Sequence, residues 1–139
     1  MRLNKIIITG GATRIGAAIA ESLANYDTEI SIHYNKSKSD ALKLKDKLKK
    51  LGAQIHLFKA DLNNFKQTQN LLKLANKKMK GVDCLINNAS LFENDNLQNF
   101  SEKSFTKHIN INLKAPAILT KDFAKKYKGN DGNIVNIID

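Results

Sequence analysis

The chain has 139 residues, 42% of them hydrophobic, which is enough for one domain with a hydrophobic core but not for two. Its 23 basic and 13 acidic residues give a formal net charge of +10, which raises the question of nucleic-acid binding. That function is not favoured, because only Arg2 and Arg14 are arginines and the lysines lack interleaved aromatic stacking residues.

Membrane insertion and metal binding are not favoured by the sequence either. No apolar run is long enough to span a bilayer, and Ile6–Ile8 is too short for a signal sequence. We therefore expect a cytoplasmic protein with no membrane partner and no metal site. The single cysteine, Cys84, is expected to be a small buried hydrophobic residue rather than a reactive thiol.

The first strand leads directly into a glycine-rich turn and a helix start. Residues 5–16 read Lys-Ile-Ile-Ile-Thr-Gly-Gly-Ala-Thr-Arg-Ile-Gly. Gly10 and Gly11 allow a sharp turn that a ligand can approach closely, while Gly16 allows the helix to pack near the strand. The free N–H groups and positive dipole end of the helix suit a nucleotide diphosphate. The predicted cofactor loop comprises Thr9, Gly10, Gly11, Arg14, Ile15 and Gly16.

Strands and helices alternate along the rest of the chain. Strands are predicted at residues 29–34, 54–58, 82–86 and 133–138. Apolar residues at helical spacing mark the intervening helices, with positions Ile15, Ile19, Leu23; Leu44, Leu48, Leu51; Phe65, Leu71, Leu72, Ala75, Met79; and Phe105, Ile109, Leu113, Leu119, Phe123. Gly52 and Gly81 end the second and third helices, and Pro116 interrupts the long fourth one.

Such alternation predicts parallel strands joined by right-handed helical crossovers. We therefore predict an α/β fold, a Rossmann-type doubly wound parallel sheet in three layers, formed by one domain over residues 1–139. The last strand is apolar on both faces, which is typical of a strand buried inside a parallel sheet. We expect the domain to be an N-terminal portion, truncated after this fifth strand; the alternative is a complete short domain whose last strand pairs between subunits.

Four motifs in this order resemble the short-chain dehydrogenase/reductase family, and the resemblance covers about the first half of its fold. Thr9-Gly10 to Ile15-Gly16 is similar to the family's cofactor loop, and Asp61-Leu62 to its adenine contact. Asn87-Asn88-Ala89-Ser90 is similar to the motif that follows the fourth strand, and Asn112 to the asparagine of the active-site group. The resemblance implies that Asn88, Ala89 and Ser90 lie beside the cofactor.

Three departures from the family pattern resemble one subfamily. Arg14 replaces the usual middle glycine, Ser90 replaces the glycine after Asn-Asn-Ala, and Asp139 stands where the catalytic serine normally lies. Together with His33-Tyr34-Asn35-Lys36-Ser37, they are most similar to pteridine reductases and the related short-chain dihydrofolate and dihydromonapterin reductases. The resemblance implies that the segment from His33 to Ser37 binds the cofactor. The resemblance implies that Asp139 assists proton delivery to a pterin-like substrate, the alternative being a terminal loop aspartate.

The segment after the second strand favours NADP over NAD. An acidic residue about 20 positions beyond the glycines would bind the ribose hydroxyls of NAD, and none lies between Ile30 and Ser39. Lys36, Ser37 and Lys38 instead offer ammonium and hydroxyl donors for a 2′-phosphate. The alternative is that these lysines belong to an ordinary solvated loop.

Three positions are each open to two interpretations. Asp61 either accepts from the adenine amino group, with the Leu62 amide donating to the ring, or caps the helix that follows. Arg14 opposes the helix dipole unless an anion compensates it, and otherwise is a solvent-exposed arginine. Because Pro116 lacks an N–H, the Asn112 carbonyl loses its helical partner and is free to hold a water, or the helix is simply kinked.

These observations predict an NADPH-dependent reductase that transfers hydride to a C=N bond of a dihydropteridine or dihydrofolate-like substrate. The alternatives are a carbonyl or 3-oxoacyl thioester reductase of the same family and a non-catalytic NADP-binding module. Tyr34 and Lys38 have the spacing of the family's catalytic Tyr-x-x-x-Lys, but they lie at the end of the second strand, where the adenosine phosphate would sit, and we do not interpret them as that pair. The family's own Tyr-x-x-x-Lys helix would follow residue 139, so we expect these 139 residues to be inactive alone. By resemblance, the helix around Asn112 pairs subunits in a homo-oligomer, a dimer or tetramer.

Overall fold

A computed structural model of the protein describes residues 4–127 and 131–138. Five parallel strands form one sheet in the order β3-β2-β1-β4-β5. The strands are β1 (Lys5–Ile8), β2 (Glu29–Tyr34), β3 (Gln54–Lys59), β4 (Cys84–Asn87) and β5 (Asn133–Asn136). The helices are α1 (Arg14–Leu23), α2 (Lys38–Lys50), α3 (Phe65–Met79), α4 (Glu102–Ile109) and α5 (Ala115–Lys126), with a π-turn at Asn110–Lys114 between the last two.

The central strand β1 carries the core on both of its faces. Ile6 and Ile8 pack toward one side of the sheet, in a cluster that includes Ala20 of α1 and Leu44 of α2. Ile7 packs toward the other side, in a cluster with residues of α3 and α5. Alternating side chains of one strand thus enter two separate cores. This arrangement confirms the predicted three-layer, doubly wound parallel sheet.

Two predicted helix faces are only partly correct. In α1 it is Gly16 and Ala20 that are buried, whereas Ile15 is exposed. Leu44 and Leu48 of α2 are buried as expected, but the neighbouring Leu51 follows the last helical turn and is exposed. Residues at a helix end lie beyond the area that the sheet covers, so apolar spacing alone assigns them to the wrong environment.

The predicted long helix around Pro116 is continuous rather than broken. The Ala115 N–H donates to the Asn110 carbonyl, five residues earlier, at the π-turn between α4 and α5. The wider turn lies immediately before Pro116, whose ring nitrogen cannot donate to the Asn112 carbonyl. The proline therefore changes the hydrogen-bond pattern locally without ending the helical rod.

Strand β5 differs from its prediction in length and burial. It covers Asn133–Asn136 instead of residues 133–138, and Val135 and Ile138 are 41% and 88% exposed. It pairs with β4 through Leu85 and lies at the sheet edge, where Ile134 is partly buried against the cluster that contains residues of α5 and the other residues of the strand are exposed. Within residues 4–127 and 131–138, no helix is long and apolar enough to cross a membrane.

Candidate cofactor site

The candidate site lies at the carboxyl edge of the sheet, between β1 and β4. The chain runs outward from β1 to β2 and β3, and then returns to the opposite side of β1 to form β4. In open α/β sheets, a reversal of strand order leaves a crevice at the carboxyl ends of the strands, where ligands bind. The loops that follow β1 to β4 contain most of the predicted site residues.

The glycines of the loop after β1 permit very close packing. A Cβ on Gly10, whose φ is +60°, would lie 2.9 Å from the Ala89 Cα. A Cβ on Gly16 would lie 2.5 Å from the Asn88 Nδ2 and 2.8 Å from the Gly11 Cα. Helix α1 therefore begins directly against the loop, as predicted from the glycine spacing.

The N-terminus of α1 has no side-chain cap. Its N-cap residue Thr13 makes no capping hydrogen bond, and no acidic residue lies in the first turn. Arg14, the first helical residue, is exposed and has a φ of +50°, in the left-handed region that favours glycine. The uncapped N–H groups and the arginine together form a place where an anion would be stabilised. Ile15 lies beside them and is also exposed.

Thr9 and Asn88 lock the glycine loop onto the end of β4. The Asn88 Nδ2 donates to the carbonyls of Thr9 and Gly10 at 3.0 and 3.1 Å. The buried Thr9 Oγ1 accepts from the N–H groups of Asn88 and Ala89, each at 3.0 Å. Both side chains are used within the protein, so they shape the loop rather than present free donors to a ligand.

The His33 side chain holds the glycine loop through a hydrogen bond to its backbone. Its ring is buried; Nδ1 accepts from the Gly10 N–H and Nε2 donates to the Ala60 carbonyl, both at 3.0 Å. These partners require the neutral tautomer with the proton on Nε2. Burial lowers the His33 pKa, against the opposing effects of the Ala60 hydrogen bond and the Asp61 charge. Neither ring nitrogen remains for the direct cofactor contact that the sequence suggested.

The loop after β2 presents polar groups at the start of α2. Tyr34 is half-buried, whereas Asn35 and Lys36 are exposed. Ser37 is the N-cap of α2, but its side chain makes no capping hydrogen bond. The N-terminus of α2 therefore has no side-chain cap; Lys36 directly precedes it, the Lys38 N–H donates to the Lys36 carbonyl at 2.9 Å, and Asp40 lies in the first turn.

The loop after β3 decides one of the open alternatives. The Asp61 carboxylate accepts from the Asn63 N–H at 2.9 Å, and the cap of α3 is Asn64, which accepts from the Gln67 N–H at 3.1 Å. The interpretation of Asp61 as the helix cap is therefore wrong. The Leu62 side chain is buried, which fixes its backbone at the edge of the crevice.

Asn112 reaches the segment that follows β4. Its Oδ1 accepts from the Leu91 N–H at 2.7 Å, and its Nδ2 donates to the Leu91 carbonyl at 2.8 Å. Asn112 therefore holds the backbone next to Ser90, which is exposed. The other predicted catalytic residue, Asp139, lies outside the described residues.

Two side chains of α4 that contact the segment after Ser90 were not identified from the sequence as functional. His108 accepts from the Glu93 N–H at 3.1 Å, and Ser104 donates to Asp95 at 3.0 Å, so α4 holds the segment beyond Ser90. The only available signal was the spacing of Ser104, His108 and Asn112 by four residues. Cys84 is buried as expected, and burial, followed by the Asp83 charge, raises its pKa to about 11.

The profile of the short chain dehydrogenase family matches residues 4–138 of the chain. The chain belongs to this family. An uncharacterized oxidoreductase from Methylorubrum extorquens is 27% identical over 131 residues, which are 94% of this chain and 52% of that protein. The chain spans about half the length of the curated relatives that it matches.

Two solved structures have the same fold as this chain. One, from Burkholderia cenocepacia in complex with NADP, is 28% identical with a TM-score of 0.90, over 96% of this chain and 54% of that one. The other is FolM alternative dihydrofolate reductase 1 from Brucella canis complexed with NADP. It is 34% identical with a TM-score of 0.88, over 96% of this chain and 55% of that one.

Proposed function

We propose that this short-chain dehydrogenase, in its full-length form, is a cytoplasmic NADPH-dependent reductase that transfers hydride to a C=N bond of a dihydropteridine or dihydrofolate-like substrate. One geometric observation carries the cofactor part of the proposal. Two helix N-termini without side-chain caps, those of α1 and α2, begin in loops at the carboxyl edge of one sheet. NADP carries phosphate at two separate places, the pyrophosphate and the 2′-phosphate, and such N-termini stabilise both.

The N-terminus of α1 would hold the pyrophosphate. Gly10 and Gly11 leave the loop surface free of side chains, and Gly16 brings the helix close to it. Arg14 adds a positive charge at this helix end, where an arginine without an anion is unfavourable. A bound pyrophosphate would compensate both the arginine and the helix dipole. Backbone groups of Thr9, Ala89 and Ile15 would complete this part of the site.

The N-terminus of α2 would hold the 2′-phosphate. Lys36 and Ser37 supply an ammonium and a hydroxyl, and no acidic residue occupies the positions between Ile30 and Ser39 where NAD-dependent proteins need one. Asp61 and Leu62 would contact the adenine, because the buried Leu62 side chain fixes the loop beside this edge. Tyr34 and Asn35 would border the ribose.

The substrate part of the proposal depends on the residues that differ from the common family pattern. Arg14, Ser90 and Asp139 are the positions at which this chain resembles the pteridine reductases. The 34% identity to the Brucella canis FolM supports the same assignment. NADPH, when bound, supplies the hydride; Arg14 would bind the anionic groups around the substrate, and Asp139 would help to deliver the proton to the ring nitrogen.

Asn112 would contribute in two ways. Its side chain holds Leu91 by two hydrogen bonds and so keeps the wall beyond Ser90 in place. Its carbonyl lies in the π-turn, four residues before Pro116, which has no N–H to offer it. We propose that this carbonyl binds a water that relays protons toward the catalytic centre.

The proposal includes a homo-oligomer, a dimer or tetramer, formed through the helical rod α4–α5. Phe105, Ile109 and Leu113 are all exposed and recur every four residues along the rod, so they form one apolar stripe. A second copy of the stripe would remove these side chains from water.

Cofactor titrations of the full-length protein test the proposal. We expect NADPH to bind at least tenfold more tightly than NADH, because a charge-assisted contact contributes about 1.5–3 kcal/mol. The double variant Lys36→Ala with Ser37→Ala should lose this preference, whereas Lys49→Ala, which removes the same charge at the other end of α2, should keep it. Tighter binding of NADH by the unmodified protein would contradict the cofactor assignment, and absence of NADPH oxidation with dihydrobiopterin or dihydrofolate would contradict the substrate assignment.

A further inference from the structure

A short extended segment after the site is fastened to one side of α4 and the π-turn. We call residues 91–95 the strap. Three of its residues, at every second position, hydrogen-bond to three helical residues spaced by four. The pairs are Leu91 with Asn112, Glu93 with His108, and Asp95 with Ser104.

The two-residue spacing in the strap matches the four-residue spacing in the helix. Alternate residues of an extended chain direct their groups to the same side, and residues four apart on a helix lie on one face. The strap therefore runs along α4 in the direction opposite to the helix, because its lower residue numbers meet the higher ones of the helix. A turn centred on Asn96 and the Ser101 cap then return the chain to the start of α4.

His108 is the middle one of the three helical residues that hydrogen-bond to the strap. Its Nδ1 donates to the Ser104 carbonyl at 2.9 Å, which leaves Nε2 as the acceptor for the Glu93 N–H at 3.1 Å. The neighbouring Lys107 ammonium binds the Glu93 carboxylate, and this hydrogen bond lowers the Glu93 pKa. Backbone and side chain of one strap residue are thus held by two consecutive residues of α4.

The strap begins directly after the segment that packs against the glycine loop. The Ala89 Cα would be only 2.9 Å from a Cβ on Gly10. Leu91 is two residues farther along the chain, so it lies within about 7 Å of Ala89. Whatever fixes the strap therefore also fixes the backbone of Ser90 at the edge of the crevice.

We propose that His108 is a positioning residue that holds the strap in place and thereby shapes the substrate side of the site. This inference builds on the proposed function. The glycine loop is held separately by His33 and Asn88, so the cofactor side does not depend on His108. Loss of His108 should affect substrate binding while leaving cofactor binding intact.

The test compares three variants of the full-length protein. His108→Ala removes the acceptor for Glu93, and His108→Gln supplies a side-chain oxygen near the position of Nε2. His56→Ala is the matched control, because His56 is likewise partly buried but binds Glu29 on the far strands β2 and β3. Amide hydrogen exchange at Glu93, the NADPH dissociation constant, and the KM and kcat for dihydrobiopterin are measured for each.

For His108→Ala we expect amide exchange at Glu93 to be about five- to tenfold faster, since one hydrogen bond of ordinary strength is lost. The KM should rise by a similar factor, while kcat and the NADPH dissociation constant stay within about twofold. His108→Gln should recover most of the slow exchange and the low KM, and His56→Ala should match the unmodified protein.

Unchanged exchange and KM in His108→Ala would overturn the proposal, as would equal weakening of NADPH and substrate binding. Equal behaviour of the glutamine and alanine variants would also overturn it, because the acceptor atom would then be irrelevant. If the unmodified protein does not oxidise NADPH with dihydrobiopterin, the proposed function fails and the substrate role of His108 with it. The exchange measurement still shows separately whether His108 holds the strap.

Discussion

Arg14 offers a test in which stability and binding should change in opposite directions. Its φ of +50° lies in the left-handed region, which costs a non-glycine residue roughly 1–2 kcal/mol. Glycine avoids this cost but adds about 0.5–1 kcal/mol of unfolded-chain entropy. Because Arg14 is exposed, the substitution removes no core contact. Arg14→Gly should therefore be about 0.5–1 kcal/mol more stable than Arg14→Ala, and its Tm about 2–4 °C higher.

The alanine variant is the appropriate reference, since both variants remove the same charge from the N-terminus of α1. Their difference in free energy of unfolding, measured by urea denaturation, then isolates the backbone conformation at residue 14. If the arginine binds the cofactor pyrophosphate, both variants should bind NADPH at least tenfold more weakly than the unmodified protein. A fluorescence titration of NADPH measures this loss.

Equal stability of Arg14→Gly and Arg14→Ala would refute the backbone argument, because glycine would then gain nothing at this position. Unchanged NADPH affinity in both variants would refute a cofactor role for the arginine. We expect both variants to bind NADPH more weakly than the unmodified protein, and Arg14→Gly to be more stable than Arg14→Ala. That result would mean that the strained arginine is retained for the site rather than for the fold.

Two further predictions concern the support of the glycine loop. Gly16→Ala should lower the free energy of unfolding by about 1–3 kcal/mol and weaken NADPH binding, because the new Cβ would lie 2.8 Å from the Gly11 Cα. Urea denaturation measures the first effect and an NADPH titration the second. Ala18→Gly, on the exposed side of α1, is the control. His33 should make the protein less stable as the pH falls below about 6.5, since burial lowers its pKa in the folded state and only the unfolded chain then takes up the proton. His33→Gln should show a shallower dependence of the urea midpoint between pH 7 and 5, and an unchanged slope would contradict the assignment.

The sequence alone determined the order and type of the elements. Short β-branched strands alternating with amphipathic helices leave few arrangements other than a parallel sheet with helical crossovers. The glycine spacing from Gly10 to Gly16 likewise predicted a tight strand-to-helix junction, because no other residue tolerates such backbone proximity. Both features are local properties of the chain, and the structure confirms both.

Only the tertiary structure decided what each polar side chain does. Thr9, His33 and Asn88 were all interpreted as cofactor contacts, but their polar groups are bonded to neighbouring loops. Their partners lie between 23 and 80 residues away in the chain, so no local pattern could identify them. The strap and its fastening by His108 were missed for the same reason.

Burial at the sheet edge also depended on the tertiary structure. The apolar pattern of residues 133–138 predicts a strand covered on both faces, yet β5 is the edge strand and most of it is exposed. A pattern of side chains reports which faces are suited to burial, whereas burial itself requires another element to pack there. Sequence periodicity therefore determined the fold of this protein, and the packing of distant segments determined which residues remain available to a ligand.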